Sequence, residues 1–280
     1  MHTIRRFTAA ALLPLALATA ALATPLAAQD DRSSSDWTWN GTLAEGRTVF
    51  LHNVNGSVRV ESGSGNRVEV TAEKRWRRGD PEDVRIEARQ LSNGNVVVCA
   101  MWRRGDSCEE GGIDGGERNW NRNNDVSVHF VVRLPAYANV DANTVNGGVE
   151  VSELRGWVEA NTINGNVEAA SSGGPVRART VNGSIRARGQ ITADGLDYQT
   201  VNGSIEIELP ADANADVSLR TTNGRVTSDF PITFTGEINP RRIEAKLGNG
   251  GPELRARTVN GGIRLLKQLA ATGGAALRGS

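Results

Sequence analysis

The sequence predicts an all-β protein, a β-solenoid built from Asn-Gly-cornered repeats of about 18–21 residues. Two observations carry that prediction. The first is a phrase written four times, as Val140-Asp-Ala-Asn-Thr-Val-Asn-Gly147, Val158-Glu-Ala-Asn-Thr-Ile-Asn-Gly165, Val176-Arg-Ala-Arg-Thr-Val-Asn-Gly183 and Leu196-Asp-Tyr-Gln-Thr-Val-Asn-Gly203. The copies begin 18, 18 and 20 residues apart, and a fixed phrase at a near-fixed period marks a repeat architecture. The second is the stretch after each Asn-Gly. Val149/Val151, Val167/Ala169, Ile185/Ala187 and Ile205/Ile207 alternate with polar residues, the period-two pattern of a half-buried strand.

Each unit therefore reads as strand, corner, strand, loop. Asn and Gly both tolerate positive φ, which a tight corner uses. The first, third and fifth residues of a copy, such as Val140, Ala142 and Thr144, share one face that a single unit cannot bury and a stack can. A looser copy lies at Val217-Ser-Leu-Arg-Thr-Thr-Asn-Gly224, another at Leu254-Arg-Ala-Arg-Thr-Val-Asn-Gly261, and an outlying one at Val49-Phe-Leu-His-Asn-Val-Asn-Gly56. The alternative arrangement is an antiparallel β-meander, in which the strands flanking Asn-Gly pair with each other. Stacked coils would align Glu168, Arg186 and Glu206 in one outer column and Glu159, Arg177 and Asp197 in another, both alternating in sign, which favours the solenoid. Against it, Glu150 would sit beside Glu168 and Asp141 beside Glu159. The turn residues form a column: Asn55 and Gly56, Asn146 and Gly147, Asn164 and Gly165, Asn182 and Gly183, Asn202 and Gly203, Asn223 and Gly224, Asn260 and Gly261. Their amides can add a hydrogen-bonded ladder to the turn role.

In chain order, residues 1–28 read as an export signal, with Arg5 and Arg6 ahead of the apolar run from Ala9 to Ala23, too short to span a bilayer. Cleavage is expected after Ala28, with Ala21-Leu-Ala23 as the alternative site. Residues 29–36 are Ser-rich and read as a disordered linker. Residues 37–139 form an N-terminal β region continuous with the repeats, with strands at 67–76, 84–88, 96–100 and 126–134 and a mobile loop at 103–124. Residues 140–265 are the repeat solenoid, with 243–265 as a closing hairpin that caps it. Residues 266–280 read as a disordered tail. Cys99 and Cys108 are an even pair in an exported chain, so a disulfide is expected.

Composition narrows the function. The 280-residue chain carries 32 basic and 32 acidic residues. Removing residues 1–28 takes two arginines and no acid, so the mature chain is close to neutral, with no electrostatic case for nucleic acid. No later apolar run is long enough for a membrane span. The mature chain has His52 and His129 only, and neither lies in a recognisable triad, metal motif or phosphate loop. No cofactor, metal site or catalytic residue is expected.

The Asn53-Val-Asn-Gly-Ser-Val58 opening, the Leu-Pro-Ala connectors at 134–136 and 209–211, the repeated Thr-Val-Asn-Gly and the ending from Gly250 to Leu265 together resemble a bacterial β-strand-repeat family of unknown function labelled "putative adhesin". The resemblance covers roughly residues 45–265. It implies an exported, all-β, solenoid-like protein with no established catalytic residues.

A non-enzymatic, exported scaffold of the periplasm or cell surface is thus the leading expectation, binding a surface glycan or an envelope protein. An envelope structural or stress accessory protein is the second reading. A carbohydrate-active enzyme on a β-helix is the third, with Asp141/Glu159 and Glu150/Glu168 as its candidate carboxylates. Trp76, Trp102 and Trp120 are candidate binding residues, although a tryptophan at a strand end commonly just packs. Trp76-Arg-Arg-Gly-Asp80 and Trp102-Arg-Arg-Gly-Asp106 repeat an Arg-Gly-Asp triplet, which turn chemistry explains better than receptor binding.

Overall fold

The computed structural model describes residues 32–115, 124–234 and 241–268. The expected export signal and Trp120 lie outside the described residues, as does most of the 266–280 stretch. The chain opens with β1 (Arg32–Thr42), β2 (Thr48–His52), β3 (Val58–Gly63) and β4 (Arg67–Trp76). A short 3-10 turn at Pro81–Asp83 leads to β5 (Arg85–Gln90), β6 (Val96–Met101), the small strands β7 (Asp106–Glu109) and β8 (Gly112–Gly115), and β9 (Ser127–Pro135). The repeats supply β10 (Asn139–Asn143), β11 (Val149–Leu154), β12 (Val158–Asn161), β13 (Val167–Ser171), β14 (Val176–Arg179), β15 (Ile185–Arg188), β16 (Leu196–Gln199) and β17 (Ile205–Leu209). The last strands are β18 (Ala215–Asn223), β19 (Val226–Ser228), β20 (Ile232–Phe234), β21 (Arg242–Leu247), β22 (Glu253–Asn260) and β23 (Ile263–Lys267).

The strand before each Asn-Gly joins one sheet and the strand after it joins the other. The entry sheet runs β20-β21-β18-β22-β16-β14-β12-β10-β2-β6-β5, and the exit sheet runs β1-β4-β9-β3-β11-β13-β15-β17-β23-β19. Within the repeats every pairing is parallel, and the register is kept, Val140 against Val158 and Val158 against Val176, for example, apart from a shift between β11 and β13 after Val151. The solenoid therefore holds and the meander does not. Asn-Gly turns the chain from one sheet to the other and closes no hairpin.

The core is the thin layer between the sheets. Val140, Ala142, Val158, Ala160, Val176 and Ala178 face Val149, Val151, Val167, Ala169, Ile185 and Ala187, and all are buried. Each buried valine or isoleucine contributes about 1.5–3 kcal/mol against leaving it in water. Antiparallel strands finish both ends of the stack. β4 and β1 extend the exit sheet beyond β9, β5 closes the entry sheet beyond β6, and β21 and β20 close its other edge. A change of direction at the ends interrupts the parallel repeat, as capping units do in other solenoids.

Several expectations need correction. Residues 32–36 are the first part of β1, paired with β4 across a register shift between Ser34 and Trp37, and not a linker. Backbone pairing of Arg32, Ser33 and Ser34 with β4 outweighs their polar composition. The 103–124 stretch is not a plain loop, because β7 and β8 form a hairpin within it. It covers the outer face of β6, where Val97, Cys99 and Met101 are buried with Cys108. That cover explains the unbroken apolar run of β6, a strand buried on both faces.

The largest correction concerns the C-terminal repeats. Residues 243–265 do not form a closing hairpin. β21 pairs with β18, while β22 and β23 make a full coil seated between the Leu196 coil and the Val217 coil. The stack thus departs from sequence order. Outer-face charge is compatible with this order. In this order Asp197 lies beside Arg255 and Glu206 beside Arg264, the latter pair 3.2 Å apart. The Val217 coil would have offered Ser218 and Thr227 at those places.

Candidate functional site

Thr-Val-Asn-Gly builds a corner with a separate task for each residue. The asparagines form a continuous amide ladder. Asn146 Nδ2 donates to Asn55 Oδ1 at 2.7 Å, Asn164 to Asn146 at 2.8 Å, Asn182 to Asn164 at 2.8 Å and Asn202 to Asn182 at 2.7 Å. Asn260 then donates to Asn202 at 2.7 Å and Asn223 to Asn260 at 2.8 Å. The threonines are buried and reach back one coil. Thr162 Oγ1 donates to the Gly147 carbonyl at 2.8 Å, Thr180 to Gly165 at 2.9 Å and Thr200 to Gly183 at 2.8 Å. In the outlying copy Asn53 replaces threonine, and its amide donates to Val128 O at 2.8 Å.

The glycines serve close approach more than turn conformation. A Cβ at Gly165, Gly183, Gly203, Gly224 or Gly261 would overlap the carbonyl of the stacked glycine, Gly147, Gly165, Gly183, Gly261 and Gly203 respectively. Only Gly56, at φ 115°, sits well inside the positive-φ region among the corner glycines. Tolerance of positive φ, the property that singles out Asn-Gly in the sequence, is thus secondary here.

The second residue of Thr-Val-Asn-Gly is the exception, because it points outward. Ile163, Val181, Val201 and Val259 are 45%, 39%, 39% and 40% exposed. They make an aliphatic ridge along the corner. Core packing does not require apolar residues there.

Beside the ridge runs the row formed by the fourth residue of each phrase. Across the entry sheet it reads Asn143, Asn161, Arg179, Gln199, Arg257, Arg220 and Arg242, each in register with the next. The row and ridge line a groove of about 670 Å³ that also takes in Arg241 and Thr222. No acidic side chain lines it among the described residues. Arg179 is drawn aside to Asp197 at 3.1 Å and Glu159 at 3.5 Å, and Arg220 and Arg242 both reach Glu244, at 2.9 and 2.6 Å. Arg220 Nε is buried without a partner.

Other predicted positions resolve differently. The Glu168–Arg186–Glu206 and Glu159–Arg177–Asp197 columns are in register. Arg177, however, donates to Asp194 O, and Arg179 from the next row bridges the two acids instead. Glu150 sits next to Glu168 but pairs with Arg59 at 2.9 Å. Asp141 lies between Phe50 and Glu159. Burial raises its pKa to about 6, and the Glu159 charge adds to the rise while a hydrogen bond from Asn143 opposes it. Cys99 and Cys108 are joined by a disulfide with Cα atoms 5.7 Å apart. Trp102 is buried and its Nε1–H donates to Val126 O, so it is a packing residue and not a binding platform. Trp76 is half-buried against the core. Asp106 is buried and paired with Arg103 at 3.2 Å, and Asp80 caps the Pro81–Asp83 turn, so both Arg-Gly-Asp triplets serve local structure.

Among the described residues no group of three His, Cys, Asp or Glu side chains is placed to hold a metal, and no helix is long and apolar enough to cross a membrane. One further concavity, about 500 Å³, holds the carboxylates of Glu208 and Asp229, but Glu208 is bound by Arg188 at 2.6 Å.

Parallel two-sheet coils, an asparagine ladder at one corner and antiparallel ends define a flattened β-solenoid. The chain belongs to the Toastrack DUF4097 family, whose model matches residues 32–266. Among solved structures it is similar to a putative cell adhesion protein from Clostridium sporogenes ATCC 15579, at 10% identity and a TM-score of 0.47, covering 85% of this chain and 100% of that one. It is also similar to a putative adhesin from Bacteroides fragilis NCTC 9343, at 9% identity and a TM-score of 0.37, covering 85% and 99%. No curated protein matches the chain.

Proposed function

We propose that this protein is an exported, non-enzymatic scaffold of the cell envelope that works by binding. The exposed aliphatic ridge carries the proposal. A repeat that only needed to stack would leave the second residue of Thr-Val-Asn-Gly free to vary, yet it is Val or Ile in Val145, Ile163, Val181, Val201 and Val259, and only the looser Val217 copy departs, with Thr222. A contiguous exposed apolar strip with polar flanks is the usual form of an interaction surface. The apolar leader at 9–23 and the disulfide support export, since disulfides persist in oxidising compartments. Arg59 on Glu150 and Arg179 on Glu159 engage one member of each candidate carboxylate pair, which speaks against catalysis by two carboxyl groups free to act as acid and base.

The test is retention of the purified chain on isolated bacterial envelopes. Saturable retention, weakened when Val181, Val201 and Val259 are changed together to Thr, is the expected result. Unchanged retention in that variant removes the ridge from the function. Hydrolysis or cleavage of envelope polysaccharide by the chain overturns the non-enzymatic reading.

A further inference from the structure

We propose that the arginine row on the entry sheet is a binding site for a linear acidic polysaccharide; this rests on the envelope-binding reading above and names its ligand. The row of Glu168, Arg186, Glu206 and Arg264 alternates in sign, and the acidic neighbours Glu150–Glu168 and Asp141–Glu159 are single pairs. In the fourth-residue row the alternation stops. Arg257 lies directly beside Arg220, and Arg220 beside Arg242. Like charges directly opposite each other in a sheet are destabilising, and three in succession are a local conflict of the kind expected at a functional site.

The side chains are also left wanting partners. The Arg257 guanidinium has no hydrogen bond or ion pair among the described residues, and Arg220 keeps a buried, unpaired Nε. An anion between them would answer both deficits. Arginine suits carboxylate and sulfate because its planar fork can bind two oxygens at once.

The shape selects the kind of anion. Adjacent strands are about 4.8 Å apart, so Arg257, Arg220 and Arg242 stand at successive steps along the stacking axis. That layout fits a chain carrying repeated charges better than a single small ion. The groove is concave, which a thread can enter and a flat bilayer cannot. No aromatic residue lines it among the described residues, so it lacks the stacking platforms that single-stranded nucleic acids use. The valines of the ridge offer an apolar wall for the C–H faces of sugar rings. The backbone groups of these strands are already engaged in the sheet, so an added peptide strand has nothing there to pair with.

Isothermal titration of the full chain with polygalacturonate and with heparin oligosaccharide tests this, with dextran, polyglutamate and phosphatidylglycerol vesicles as comparison arms. Binding to at least one acidic glycan, weakening as salt is raised, is expected. Arg257→Gln should lower affinity about tenfold, while Arg67→Gln, at an exposed arginine outside the row, should change nothing. An unchanged thermal transition in Arg257→Gln confirms that the loss is local. No binding to either acidic glycan overturns the proposal, as does binding indifferent to Arg257→Gln or tighter binding to polyglutamate or vesicles. Retention on envelopes without acidic-glycan binding sinks the ligand assignment and leaves the scaffold reading standing; failure of both sinks both.

Discussion

At Gly183 a hydrogen atom is all that fits between one coil and the carbonyl of Gly165 behind it. Gly183→Ala must push two coils apart at the point where Thr180 and Asn182 also bind backward. Overpacking of a tight site costs about 1–3 kcal/mol, with a lost hydrogen bond adding about 1 more. A urea midpoint lowered accordingly in Gly183→Ala is the expected outcome; a midpoint within error of the parent refutes the close-approach reading. Asp141 gives a prediction in pH. Its carboxyl has a folded pKa of about 6 against an ordinary 3.8, so the native state holds a proton that the unfolded chain has released. Stability therefore falls as pH rises between those values and stays lowered above them. Asp141→Asn should be more stable than the parent by about 1 kcal/mol at pH 7.5, a figure discounted for partial solvent contact. Its advantage should vanish below pH 4. Chemical denaturation at the two pH values checks this.

Among the elements, the β7–β8 hairpin is held by one covalent bond and by polar contacts from Arg85, Arg89, His52, Asn93 and Asn95 more than by a core of its own. It covers Val97, Cys99 and Met101 with only Cys108 and a half-buried Ile113 as apolar contacts. The Cys99–Cys108 disulfide closes a short loop, worth about 2.5 kcal/mol in the chain-entropy model. The Cys99→Ser, Cys108→Ser double variant should lose amide protection at 106–115 by hydrogen exchange. Protection in β12 to β17 should not change, because stability in a stacked fold is carried by nearest neighbours. Equal loss in both regions would show that the hairpin is part of the core. The hairpin is hard to read from sequence because Gly111, Gly112, Gly115 and Gly116 dilute its pattern, and its apolar partners lie on another strand. The parallel repeats are easy to read, because each strand's partner is a copy of itself.

At the scale of the molecule, the coil made by β22 and β23 is a wedge between two coils laid down earlier in the chain. Leu254, Ala256, Ile263 and Leu265 are buried there. A chain ending after Pro252 would leave an open slot beside β16 and β17 and would strand β18 and β19 from the stack. We expect that truncation to keep protection in β10 to β15 and to lose it in β18 and β21, read by hydrogen exchange. Full retention of protection in β18 would mean that the Val217 coil can close the gap directly. The same insertion brings Arg257 beside Arg220, so the basic row exists only in the complete stack.

The sequence by itself determined the class of fold, the corner residues, the inward Val/Ala/Thr face and the register of neighbouring copies. Each of these depends on residues close in the chain or on identical residues one period away, and a period can be counted. Only the tertiary structure decided the order of the coils at the C-terminal end, the cover over β6 and the row of Arg179, Arg257, Arg220 and Arg242. Each of those arginines is visible in the chain. Their meeting depends on which of two nearly equivalent copies stacks on the Leu196 coil, and those copies lie far apart in the chain. The second residue of Thr-Val-Asn-Gly is equally visible, but its outward direction appears only once the corner has turned the chain between sheets.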